Sequence, residues 1–231
     1  TWSPFAERCR LVGEQSKDAE QKTGEKKIYL ANITDEVDEL IDLHDVAVKH
    51  GAGAVMINGL TTGLTAVRYL SLFSEVPVFA HFDGIAPFSR IPFFGISTIV
   101  MAKLQRLAGF DAIIMPGFGA RMLTEEEEVL DNCDACAVNF GGLKRSLPVP
   151  GGSDWAGTLA DTYEKLRTID FGFCAGRGIF GHPMGPEAGA KSLRQAWEAI
   201  VSRIPLEQYA NENIELAQAL EAFGERKRFP D

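Results

Sequence analysis

The chain has 231 residues, enough for one large domain with a sizeable core, and its 45% hydrophobic and 24% charged residues describe an ordinary globular protein. A net charge of −9 with scattered Lys and Arg argues against nucleic acid or an anionic membrane as partner. No apolar run is long enough to span a bilayer, no signal peptide is visible, and four cysteines do not make a disulfide framework, so the expected compartment is cytoplasmic.

Residues 4–23 read as a polar helix ended by Gly24, and 27–33 (KIYLANI) as a strand. Residues 35–50 form a helix capped by Thr34, with Val37, Leu40, Ile41 and Val48 facing inward, His44 and His50 facing solvent, and Gly51 at its end. Residues 54–58 (AVMIN) are a strand, 60–73 a helix weakened by Gly63, and 76–82 (VPVFAHF) a strand. Residues 97–108 form a helix closed by Gly109, and 111–115 (DAIIM) are a strand. Thr124 and Glu127 read as a capping box for a helix to about Val138, and Glu125 to Glu128 as its solvated first turn. A strand over 146–149, a helix over 155–166, a strand from Ile169 to Phe173, a helix from Pro186 and a last helix over 205–223 complete the pattern.

Six apolar strands, each followed by a helix, imply a parallel sheet covered by helices, either doubly wound or closed into a barrel. The unusual residues gather after each strand's carboxyl end: Asn32, Asn58, His81, Pro116-Gly117, Gly151-Gly152 and Gly176 to Gly178. That favours a (β/α)8 TIM barrel, in which these loops share one mouth. Such a barrel needs eight strands, so the first two are expected upstream of Thr1. Residues 1–231 then form one barrel domain, incomplete at its N-terminus.

The stretch FGFCAGRGIFGHPMGPEAGAKS, residues 171–192, has the strand, glycine turn and helix of an anion site. Glycines allow close backbone approach, and bare amides at a helix start favour a phosphate. Gly176, Arg177 and Gly178, paired with Gly151 and Gly152, are the candidate phosphate-binding residues. His81 either handles a proton or hydroxyl of the substrate or is a structural histidine bonded to a neighbour. Asn32 and Asn58 either hold a ligand oxygen or cap the next helix. His182 pins the glycine loop. Arg121, in GFGARM, either rides a mobile lid or is a surface arginine. Cys133 and Cys136 read as two buried thiols one turn apart, lacking the further ligands that zinc requires.

The segments GEKKIYLANITDEVDEL, VPVFAHFDGIAPFSR, MAKLQRLAGFDAIIMPGFGARM, LPVPGGSD and GRGIFGHPMGPEAGAKS resemble the catalytic barrel of the ribulose bisphosphate carboxylase large subunit over nearly all of the chain. The resemblance is closest to the form IV, RuBisCO-like branch, and within it to the group from photosynthetic bacteria linked to sulfur metabolism. It implies a small N-terminal α+β domain before the barrel and a homodimer in which the partner's N-terminal domain completes the site. It also implies Mg2+ held by a carbamylated Lys, an Asp and a Glu upstream of Thr1, with no metal ligand in this segment. It places Gly151, Gly152, Gly176 and the Arg177 backbone on the phosphate loops, His81 on a substrate-contacting histidine, and Arg121 near the lid lysine.

Departures from the carboxylase pattern are Phe82 for an arginine, Ile85 and Ile114 for histidines, and Pro150 for a serine. These would make one wall of the pocket apolar, and a second phosphate desolvated there without partners would cost several kcal/mol. The implied function is a non-carboxylating, Mg2+-dependent enolase or isomerase acting on a phosphorylated, perhaps methylthio-substituted, keto-sugar. The alternative is a non-catalytic phosphate-ligand-binding, regulatory or oxidative-stress-response protein on the same fold.

Overall fold

The structure, a computed structural model, describes residues 2–91, 93–118 and 124–224. The chain divides into two compact units, one of residues 1–114 and 134–147, the other of 115–133 and 148–231.

The first unit opens with α1 (Phe5–Thr23), which ends as the sequence predicts at Gly24 in the left-handed conformation. Strands β1 (Leu30–Asn32), β2 (Ala54–Ile57), β3 (Val78–Ala80) and β4 (Ala112–Pro116) follow. They pair in parallel, with Leu30 opposite Ala54, Val55 opposite Val78 and Phe79 opposite Ala112. With β5 (Leu147–Gly151) the sheet order is β1-β2-β3-β4-β5. A doubly wound sheet reverses its strand order at a switch point, whereas here every strand lies beside its predecessor in sequence. This is the winding of a (β/α) barrel, and the architecture is a partial TIM barrel.

Helix α2 (Leu40–Lys49) starts later than expected, and Thr34 does not cap it. Thr34 Oγ1 is taken up elsewhere, donating to Asn32 Oδ1 at 2.7 Å and accepting from Asn58 N at 2.9 Å. Val37 is exposed, while His44, expected in solvent, is buried. His44 Nε2 accepts from Glu75 N, which leaves Nδ1–H to donate to Asp45 Oδ1. His50 is half-buried. The helix expected over 60–73 breaks at Gly63, whose φ of 99° no helix accommodates, into α3 (Gly59–Thr62) and α4 (Leu64–Leu70). Between β3 and β4 lie α5 (Ala86–Ser89) and α6 (Thr98–Ala108), the latter capped by Ser97 and closed by Gly109.

From α6, Arg106 reaches the carboxyl end of α7 (Glu126–Ala137). Its guanidinium is buried and donates to Ala135 O, Val138 O and Lys144 O at 2.7, 3.0 and 3.0 Å. A cation suits Ala135 O and Val138 O because a helix end leaves its last carbonyls without amide partners. Cys133 and Cys136 are both buried in α7.

In the second unit α8 (Ala156–Leu166), α10 (Pro186–Ser202) and α12 (Ile214–Gly224) bury Leu159, Ala196, Leu216, Ala219 and Phe223 together. Two shorter helices, α9 (Gly176–Phe180) and α11 (Leu206–Ala210), complete it. The final helix of the sequence reading is thus two helices. The sixth strand is absent: 169–173 makes one backbone bond toward β5, Gly172 N to Pro148 O at 2.9 Å, and one bond is no ladder. Its Phe171 and Phe173 instead line a groove of about 400 Å³ with Leu159, Leu193 and Trp197. His182 does pin its loop: Nδ1 accepts from Met184 N, so Nε2–H donates to Glu215 O of α12 at 2.9 Å.

Helices α9 and α10 meet at Gly189, where a Cβ would lie 2.6 Å from Ile179 Cα and O and 2.8 Å from Gly178 O. Those are backbone atoms that cannot swing aside. Gly189→Ala should therefore lose about 1–3 kcal/mol to overpacking, outweighing the helix-propensity gain of about 1 kcal/mol. A thermal melt of the full-length variant should show a lowered midpoint; an unchanged or raised one would contradict this packing.

Candidate functional site

The glycine turns belong to the second unit and are held together by a residue the sequence reading passed over. Asp154 is buried, 4% exposed, between Gly152 and the start of α8. Its Oδ2 accepts from Gly152 N at 2.7 Å, and its Oδ1 accepts from Thr158 Oγ1 at 3.4 Å. Its backbone O accepts from Gly178 N at 3.1 Å. One residue thus bonds to both turns and to the following helix. A sequence signal existed: a short acidic residue between a glycine pair and a helix start is placed to bond local amides.

The remaining amides divide accordingly. Gly152 N and Gly178 N are engaged, whereas Gly176 N and Arg177 N donate to no acceptor among the described residues. A Cβ on Gly176 would meet nothing within 4 Å, and one on Gly151 would make ordinary contacts, 3.8 Å to Cys174 Cβ and 4.0 Å to Asp154 Oδ2. The protein's own packing does not require glycine at either position. It does at Gly178, where a Cβ would lie 2.6 Å from Trp155 Cα, and at Gly117, where one would lie 2.7 Å from Gly151 N. The Arg177 guanidinium stacks on Phe223 at 5.3 Å, and its Nη2 is buried without a hydrogen-bond partner. Phe223 also packs against Trp155, with ring centroids 5.7 Å apart.

Burial pushes the Asp154 carboxyl above the usual carboxylate range, against the opposing pull of the Gly152 amide and the Thr158 hydroxyl. The Cys174 thiol is likewise pushed up, by its crowded surroundings and then by the Asp154 charge, although the residue as a whole is exposed. Pro150 is buried at the end of β5.

The other predicted residues lie in the first unit, where the strand tips are laced together. Asn32 Oδ1 holds Thr34, Thr34 Oγ1 holds Asn58 N, and Asn58 Nδ2 donates to Asp83 O at 3.0 Å. Asn58 Oδ1 caps α3 through Leu60 N and Thr61 N. His81 Nδ1 lies 3.2 Å from both Asp83 N and Asp83 Oδ2. Asp83 N donates to Nδ1, which leaves the proton of the neutral imidazole on Nε2. The His81 and Phe82 rings stack at 5.4 Å. Ile85 and Ile114 are each 6% exposed. Arg121 lies outside the described residues. Among the described residues no group of three or more His, Cys, Asp or Glu is placed to hold a metal, and no helix is long and apolar enough to cross a membrane.

A profile of the ribulose bisphosphate carboxylase large chain, catalytic domain, matches residues 1–223. The chain belongs to this family. A ribulose bisphosphate carboxylase-like protein of Allochromatium vinosum is 59% identical over 223 residues, 96% of this chain and 49% of that protein. It comes from the photosynthetic bacteria whose RuBisCO-like group the sequence resembles. A 3-oxo-isoapionate-4-phosphate decarboxylase of Rhizobium etli is 33% identical, covering 98% of this chain and 55% of the enzyme. Among solved structures, the complex of sulfate ion and octameric ribulose-1,5-bisphosphate carboxylase/oxygenase from Pyrococcus horikoshii is 30% identical with a TM-score of 0.91, covering 97% of this chain and 54% of that one. This RuBisCO-family chain spans about half the length of the curated relatives it matches.

The two kinds of glycine predict opposite behaviour. Gly176→Ala should leave stability within about 0.5 kcal/mol but obstruct an anion at the amides, weakening phosphate binding. Gly178→Ala should cost about 1–3 kcal/mol through its clash with Trp155. Denaturant unfolding and phosphate titration of both full-length variants separate the two; equal destabilisation would refute the distinction.

Proposed function

We propose that the full-length protein is a RuBisCO-like enzyme of the enolase or isomerase type, not a carboxylase, acting on a keto-sugar that carries a single phosphate and perhaps a methylthio group. One observation carries the reading: two glycine turns tied through Asp154 leave the Gly176 and Arg177 amides without an acceptor among the described residues, in the same unit as a Gly151 with room at its α-carbon. Bare amides with nearby positive partial charge suit a phosphoryl group. One relative supports the ligand class: the Rhizobium relative's name specifies a 3-oxo, 4-phosphate substrate that is decarboxylated.

In this reading the Gly176 and Arg177 amides bind the phosphate, and Gly151, Gly152 and Gly178, the last two with their amides held by Asp154, shape the turns that orient it. His81 positions the substrate or moves a proton at Nε2, and Arg121 brings a cation toward it. Phe82, Ile85, Ile114 and Pro150 form the apolar wall that replaces the carboxylase's charge-binding groups. Such a wall disfavours a second phosphate by several kcal/mol.

Mg2+, held by a carbamylated Lys, an Asp and a Glu, belongs to the proposal, as do a homodimer, a cytoplasmic location and a link to sulfur metabolism. The described residues hold no ligand cluster and so do not fit the ion, and the chemistry assigned to this chain is anion binding, orientation and proton handling. We further propose that residues 1–231 form the barrel portion of the full-length protein.

The full-length protein, incubated in D2O with Mg2+ and a series of phosphorylated keto-sugars, should place deuterium at the carbon next to the carbonyl of one of them. It should not fix labelled CO2 on ribulose bisphosphate. Binding without exchange would favour a non-catalytic ligand-binding or stress-response protein, and CO2 fixation would overturn the proposal.

A further inference from the structure

A buried carboxylate lies against the glycine turn read as part of the anion site. Asp154 Oδ2 lies 2.7 Å from Gly152 N and would lie 4.0 Å from a methyl-sized group on the Gly151 α-carbon. An anion seated on that face of Gly151 meets this oxygen. No Lys, Arg or His forms an ion pair with Asp154 among the described residues, and Arg177 stacks its guanidinium on Phe223. The groups facing the carboxyl are the Gly152 amide from its own turn, the Thr158 hydroxyl from α8 and the Cys174 thiol from the segment before α9. None of these is a cation, so two bare anions would repel in a poorly solvated place.

We propose that Asp154 determines the specificity of this site, admitting a phosphoryl group that shares a proton with its carboxyl and rejecting a tetrahedral anion that has none to share. The inference rests on the reading of the turns as a phosphate site and adds to it the identity of the group that discriminates. A phosphate monoester loses its second proton near about pH 6, so it carries or recovers one readily at neutral pH. Sulfate has no such proton, and its oxygens would face the carboxylate as bare acceptors. The phosphoryl O–H donates to one Asp154 oxygen, the bridging proton is counted once, and no covalent bond changes. Burial supports the same direction, because it raises the proton affinity of Asp154.

Proton linkage fixes the sign. Where free ligand and free carboxyl are both ionised, binding must take up one proton, so affinity falls about tenfold per pH unit. As pH falls below that range the proton is already present and the dependence flattens.

The test is calorimetric titration of the full-length protein with orthophosphate and with sulfate across pH 5.5–9, in buffers of different ionisation enthalpy. Phosphate should bind with uptake of about one proton at alkaline pH, and sulfate at least about a hundredfold more weakly at pH 7. Asp154→Asn keeps an acceptor for Gly152 N, and should bring sulfate close to phosphate and remove the pH slope. If that variant does not fold, the wild-type anion ratio and proton count decide. Equal binding of both anions, or phosphate binding without proton uptake, would overturn the proposal while leaving the phosphate site standing. Failure of both anions to bind at any pH would overturn the site itself.

Discussion

Two glycine-rich turns can be held in one arrangement only if something stiff joins them, and here the joint is Asp154. Its carboxylate fixes the Gly152 amide while its carbonyl fixes Gly178 N. A hydrogen bond to a charged group contributes about 1.5–3 kcal/mol. More important is the geometry. With Gly152 and Gly178 committed, the neighbouring amides of Gly176 and Arg177 have no acceptor among the described residues. The carboxyl's burial is the cost, seen in its raised proton affinity. A buried acid carried beside a candidate anion site is an unusual expense for a turn that a neutral cap would also close.

Around that joint the second unit is braced from α12. Phe223 packs on Trp155, which follows Asp154, and under the guanidinium of Arg177. His182 bonds the end of the glycine stretch to Glu215 O, and Gln195 of α10 clamps Glu215 and Leu216. The first unit uses the same device at smaller scale. Asn32, Thr34, Asn58 and Asp83 form a relay of short bonds across the tips of β1, β2 and β3. In both units side-chain oxygens satisfy amides at the carboxyl ends of strands, where a (β/α) barrel places its working loops.

How much of this could be read from the sequence depends on how local each cause is. The helix ends at Gly24 and Gly109 and the apolar cores of β2 to β4 are set by neighbouring residues, and the reading located them. The misses have distant partners. Thr34 fails as a cap because Asn58, 24 residues on, claims its hydroxyl. His44 is buried because Glu75, 31 residues on, supplies a donor. Arg106 finds its acceptors 29–38 residues away. The segment 169–173 has strand composition, yet composition supplies no ladder partner, and it forms one backbone bond toward β5. The glycine turns were legible because they are dense and repeated; Asp154 was overlooked because a lone Asp after Gly-Gly-Ser looks like ordinary turn chemistry.

The central claim is that these turns, arranged by Asp154, cradle one phosphoryl group. The most direct measurement is a crystal structure of the full-length protein grown with inorganic phosphate. The account predicts a tetrahedral anion hydrogen-bonded to Gly176 N and Arg177 N, resting against Gly151 with one oxygen facing the Asp154 carboxyl. Phosphate bound elsewhere on the molecule, with those two amides still bare, would contradict it.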